Sequence, residues 1–135
     1  MDETLLAAYR ATDYRVRLVQ GGWASIRIEQ PLPAALHVLI GAQHWGFVTA
    51  WHPRSQQLPR LPNRLAQRQL LADLGALTEA IRIRPALGVG IHGWREPSLL
   101  VIGPTPEALD TLARHYRQNA YVYGLGRDLA RLRQL

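Results

Sequence analysis

The chain has 135 residues, of which 47% are hydrophobic, 19% are charged and none is cysteine. That is the length and balance of one globular domain, 1–135, and it excludes a disulfide framework and thiolate chemistry. The formal net charge is +6 and every basic residue is an arginine, scattered along the chain rather than clustered, so a solvated surface with at most weak, nonspecific, salt-sensitive nucleic-acid contact is expected.

Asp2 is placed to cap a helix over residues 3–11, with Leu5, Leu6, Ala8 and Tyr9 as its apolar surface. Tyr14, Val16 and Leu18 alternate with Arg15 and Arg17. After the turn signal Gln20-Gly21-Gly22, Ala24, Ile26 and Ile28 alternate with Ser25, Arg27 and Glu29. The two runs predict a β-hairpin. Pro31-Leu32-Pro33 breaks the pattern, and residues 34–40 predict about two helical turns ended by Gly41. Residues 45–51 carry no charge and predict a strand buried on both faces, hence an internal one, stopped near His52 by Pro53.

Residues 53–62 hold three prolines and no periodicity, a long connection of the kind that is often functional. Asn63 is placed to cap a helix carrying Leu65, Leu71 and Leu74, closed by Gly75. A strand is expected over 79–86, then a flexible loop of Gly88, Gly90 and Gly93, then an apolar strand over 97–103. Thr105-Pro106-Glu107 opens a helix that buries Leu109, Leu112, Ala113 and Tyr116 and pairs Asp110 with Arg114 on its outer face. A strand over 119–124 and a short basic tail helix anchored by Leu129 and Leu132 complete the chain. From residue 45 to about 125 the order is β-α-β-β-α-β, which predicts an α+β fold with a ferredoxin-like core and an N-terminal helix and hairpin extending the sheet.

Several local signals coincide: Thr49-Ala50-Trp51-His52-Pro53-Arg54-Ser55, Asn63 at a helix, Trp94-Arg95-Glu96-Pro97-Ser98 before an apolar strand, and Gln118-Asn119-Ala120 after the last long helix. In this combination the chain resembles, over roughly residues 14–125, the bacterial family called domain of unknown function 3293. The resemblance implies that these polar residues belong together and that asparagine commonly stands where this chain has His52. It implies no activity, since the family is named for lacking one.

In a ferredoxin-like order the first strand ends where the third and last begin. His52, Arg54, Ser55, Trp94, Glu96, Ser98, Gln118 and Asn119 are therefore expected to converge at one end of the sheet, with Trp51 and Asn63 close by as further ligand-binding candidates. Glu96 shielded by Trp94 is a candidate general acid or base, and His52 its partner. Each residue also has a plainer structural role open to it: a turn hydrogen bond for His52, a loop-pinning carboxylate for Glu96, turn and strand-start hydroxyls for Ser55 and Ser98, a helix cap for Asn63.

The five histidines form no ligand-spaced pair and no cysteine assists them, so no metal is expected. The glycines miss the dinucleotide and P-loop spacings, there is no GxSxG elbow, and no cofactor is implied. No apolar run approaches the roughly 20 residues needed to span a bilayer. The acidic start Met1-Asp2-Glu3-Thr4 is unlike a secretory signal, so no membrane partner and a cytoplasmic location are expected. Three functions remain open. The first is binding of a small polar or anionic ligand in a strand-end cleft. The second is an acid–base hydrolase or nuclease-like enzyme using Glu96 and His52. The third is a nucleic-acid-binding or protein-inhibitor module.

Overall fold

The computed structural model describes all 135 residues, Met1–Leu135. Helix α1 (Glu3–Ala11) is capped by Asp2, whose carboxylate accepts the Leu5 N–H at 2.7 Å, yet none of its residues is fully buried. Strands β1 (Asp13–Arg17) and β2 (Trp23–Ile26) form the hairpin, with Tyr14 opposite Ile26 and Val16 opposite Ala24. A 3-10 turn, Ala34–Leu36, runs into α2 (His37–Ile40), which ends on Gly41 in the left-handed region that glycine adopts without penalty. There follow β3 (His44–Val48), α3 (Arg60–Gly75), β4 (Arg82–Val89), β5 (Arg95–Ile102), α4 (Pro106–His115), β6 (Ala120–Leu125) and β7 (Arg131–Gln134). The seven strands form one antiparallel sheet in the order β2-β1-β4-β5-β3-β6-β7.

Alternation along the strands divides the interior in two. Trp45 and Phe47 of β3 face the same side as Leu100 and Ile102 of β5 and Val122 of β6, and pack with Val16, Ile26, Leu36 and Ile40. Val48, Val101 and Tyr121 face the other side and pack against Leu70 and Leu74 of α3 and Leu109 and Ala113 of α4. β3 is internal, between β5 and β6, and burial on both faces explains its lack of charge.

Several expectations are corrected. β3 ends at Val48, not near His52, because the next polar groups turn elsewhere. The Thr49 hydroxyl donates to the Pro97 carbonyl, the Ala50 N–H goes to the Gln67 side chain and the Trp51 N–H to Thr49 Oγ1. Helix α3 starts at Arg60, so Asn63 lies inside it and is no cap; Leu65 and Leu71 are exposed, while Leu70 and Leu74 are buried. β4 begins three residues later than expected and takes Gly88 into its ladder opposite Glu96, so the flexible glycine loop shrinks to the turn around Ile91–Gly93.

The tail is a strand rather than a helix. β7 completes the ladder of β6, and Arg133 reaches Asp110 with both Nε and Nη2, at 2.8 and 2.7 Å. Asp110 is thereby committed to Arg133 and to the Tyr121 hydroxyl instead of Arg114. Its carboxyl is held below the usual range by the Arg133 hydrogen bonds, which outweigh its burial. The two ends of the sheet also meet: the Glu29 N–H donates to the Ala130 carbonyl at 2.6 Å, and the Ala130 N–H to the Gln30 carbonyl at 3.2 Å.

The close fit of Trp45 gives a direct check. A Cβ on Gly124 would stand 2.6 Å from the Trp45 indole, whereas one on Gly75 meets nothing within 4 Å. Gly124→Ala should lower stability by about 1–3 kcal/mol through overpacking. Gly75→Ala, at a helix end, should be neutral or stabilising by up to about 1 kcal/mol. Urea titration of the two variants measures both.

Candidate functional site

On the face of the sheet that carries Trp45 and Phe47, the side chains change character along each strand. Towards one end β5 presents Leu100 and Ile102, both fully buried. Towards the other it presents Ser98 and Glu96 on the same side, in keeping with the period of two. The neighbouring positions are small as well: Gly88 and Gly90 at the end of β4, Thr49 beyond β3, Ala120 on β6. These side chains cannot reach across the space that leucine, isoleucine and tryptophan fill at the far end. A cavity of about 360 Å³ results. Helix α1 forms its outer wall through Leu5, Ala8, Tyr9 and Thr12, with Tyr14, Phe47 and Trp94 adding aromatic surface.

Register places the polar centre. Tyr14 is opposite Gly88, and Gly88 is opposite Glu96, so the glycine opens a gap between a phenol and a carboxyl. The Tyr14 hydroxyl donates to the Tyr9 carbonyl at 2.6 Å, which ties α1 to the sheet, and its ring meets Phe47 edge-on. Burial pushes the Glu96 carboxyl up to about 7, opposed by the Trp94 side chain beside it. Burial, reinforced by the Glu96 charge, likewise raises the Tyr9 phenol against the opposing effect of Ser55. Near neutral pH Glu96 is thus poised between acceptor and donor.

Five residues singled out from the sequence line this cavity: Ser55, Trp94, Glu96, Ser98 and Gln118. Asn119 supports it from outside, donating from Nδ2 to Ser55 Oγ at 2.9 Å. His52 does not line it. Buried and left-handed at φ 48°, it packs its ring 4.6 Å from that of Trp94. His52 Nδ1 accepts the Leu58 N–H at 3.1 Å, and Asn63 Oδ1 accepts the His52 N–H at 3.0 Å. Burial holds the His52 pKa below its ordinary value, so the ring is neutral and serves to fix the 52–58 turn behind Trp94. Asn63, buried in α3, also donates to the Leu58 carbonyl and is the other half of that clamp.

Arg54 is exposed, bound to the fold by its backbone N–H to the Arg117 carbonyl at 2.7 Å. Trp51 stands apart from the cavity, in a shallow groove with Arg60, Arg64 and Arg68 of α3. Sequence reasoning missed Tyr9, Thr12, Tyr14, Thr49 and His92 of the lining. Tyr9 and Tyr14 read as ordinary apolar positions of a helix and a strand, and only the fold of the N-terminal segment over the sheet brings them to Glu96. No group of three or more His, Asp or Glu side chains stands together as a metal site, and no helix is long and apolar enough to cross a membrane.

A family model described as a protein of unknown function (DUF3293) matches residues 48–121, more than half of the chain. No curated protein and no solved structure matches. The matched residues include the cavity floor from Thr49 to Tyr121, while α1 and Tyr14 lie outside them.

The raised Glu96 pKa makes a stability prediction. The folded value of about 7 lies above the ordinary 4.5, so the folded state prefers the protonated acid. Stability is full below the ordinary value, falls as pH rises towards 7 and stays reduced above it. Glu96→Gln should match the parent near pH 4 and exceed it near pH 8 by on the order of 2 kcal/mol. Denaturant titrations across that range report the difference.

Proposed function

We propose that this chain, which belongs to the DUF3293 family of proteins of unknown function, binds a small, partly apolar molecule in the cavity between α1 and the sheet. The observation that carries this reading is the hollowing of one sheet face by glycine, serine, threonine and alanine, at positions where the same strands elsewhere present large side chains. A folding requirement alone favours filling such space, because protein interiors pack densely and voids are destabilising. The volume lies at the lower end of the range of small-molecule sites, and a few convergent polar groups in an apolar wall are typical of them. An anionic ligand held by Arg54 is not favoured, since no arginine lines the cavity and Arg54 is exposed.

A second reading, acid–base catalysis, is favoured by one observation: a carboxyl that titrates near neutral pH inside the cavity suits proton transfer. In that reading Glu96 acts without His52, whose Nδ1 is engaged by the Leu58 N–H. Recognition of RNA on the sheet face is less well supported, because helices cover one face and α1 and α2 the other, leaving no exposed aromatic platform. We also read the β3–α3–β4–β5–α4–β6 unit as ferredoxin-like. The antiparallel strand order β4-β5-β3-β6 and the packing of α3 and α4 on one face support that reading.

Gly88→Val tests the cavity. A Cβ at Gly88 meets its nearest neighbours at 3.8 Å, an ordinary contact, so the added side chain enters the cavity without displacing the sheet. In a thermal-shift screen of metabolite-sized compounds, ligands at about 100 times Kd should stabilise the parent by about 2.7 kcal/mol. Gly88→Val should keep its unliganded stability and lose the response. Hits that persist in Gly88→Val place their site elsewhere and overturn the proposal.

A further inference from the structure

Resting on the cavity reading, we propose that its ligand carries a cationic nitrogen, an ammonium or amidinium group, seated against Glu96 among the rings of Tyr9, Tyr14 and Trp94.

The charge distribution points there. The chain carries sixteen arginines against ten carboxylates, a formal charge of +6. Asp13, Glu29 and Asp110 lie within 4.0 Å of an arginine and the other carboxylates do not, and of those others Glu96 is the one that lines the cavity. Glu96 takes none, although Arg95 precedes it, because alternation turns the exposed Arg95 away from the cavity. The ionisable side chains that share the cavity with Glu96 are Tyr9 of α1, Tyr14 of β1 and His92 of the β4–β5 turn; the Tyr121 phenol lies on the opposite face, on Asp110. Both phenols remain neutral at physiological pH, their ionisation pushed upward by burial. Glu96 is thus a half-buried carboxyl that lines the cavity and is left without a protein cation, so a cationic partner there meets no competing charge.

An ammonium or amidinium group suits that position directly. It brings the missing charge, supplies N–H donors to the carboxylate, and sits among the aromatic side chains of Tyr9, Tyr14 and Trp94, rings of the kind that attract cations. The apolar wall of Leu5, Ala8, Ile91 and Val122 then accommodates the hydrocarbon remainder. A carboxylate or phosphate ligand would meet a like charge with no arginine to neutralise it.

Matched probes separate this proposal from the cavity reading beneath it. Phenethylamine, 2-phenylethanol and 3-phenylpropionate share one aromatic body and differ in head-group charge. Their binding is measured by calorimetry near pH 8 on the parent, Glu96→Gln and Gly88→Val. On the parent, the amine should bind at least about tenfold tighter than the alcohol, and the carboxylate weakest. In Glu96→Gln the amine should fall to the level of the alcohol. The alcohol or carboxylate binding as tightly as the amine, or an amine preference that survives Glu96→Gln, overturns the cation proposal; the cavity reading still stands if Gly88→Val abolishes that binding. Failure of all three probes to bind the parent overturns both.

Discussion

Everything in this fold depends on a strand that is covered on both sides. β3 places Trp45 and Phe47 against one layer and Gly46 and Val48 against the other, and each fit needs a small partner. Trp45 lies over Gly124, and Leu109 lies over Gly46. Bulk on one side is matched by absence on the other, and this lets helices pack on one face while the N-terminal segment packs on the second. Large residues interlocked with glycine are the ordinary means by which a sheet interior reaches crystal-like density.

The same logic, carried two or three residues further along the strands, produces the opposite result. Where Leu100 and Ile102 give way to Ser98 and Glu96, and Ala86 to Gly88, nothing large is supplied from the facing layer to compensate. Helix α1 spans the gap instead of filling it. Its hold is modest: the Tyr14 hydroxyl on the Tyr9 carbonyl, Arg27 on the Ala11 carbonyl, and an exposed Arg10–Glu29 pair at 4.0 Å. With no residue fully buried, α1 has the character of segments that open without unfolding the core.

How much of this could be read in advance follows from the range of each interaction. Capping by Asp2 and Thr105, the alternation of the hairpin and the apolar run of β3 are local, and the sequence displays them directly. The meeting of Ser55, Trp94, Glu96, Ser98 and Gln118 was legible because strand direction alone brings those ends together. The failures lie where one residue has two uses. Asn63 has the chemistry of a cap, but its side chain is claimed by His52 and Leu58, a partnership invisible without the turn between them. Gly88 looks like loop punctuation, yet it is a strand residue whose missing side chain makes room. The tail reads as a helix because β6 does not advertise an open edge, and Asp110 reads as a surface charge because Arg133 is remote in sequence.

The backbone hydrogen bonds between Glu29–Gln30 and Ala130 have a bearing on solution behaviour. A seven-stranded sheet would ordinarily offer two long outer strands as templates for neighbouring molecules. Here the outer strands are four residues each, and the chain beyond one of them is stitched to the chain before the other. β7 carries Arg131 and Arg133, and the guanidinium of Arg17 on β1 lies 5.4 Å from the centre of the ring of Trp23 on β2. Shortness, charge and mutual sealing leave little unpaired backbone for another copy to extend, so edge-to-edge aggregation is disfavoured by the same curvature that brings the chain after β2 to the chain before β7.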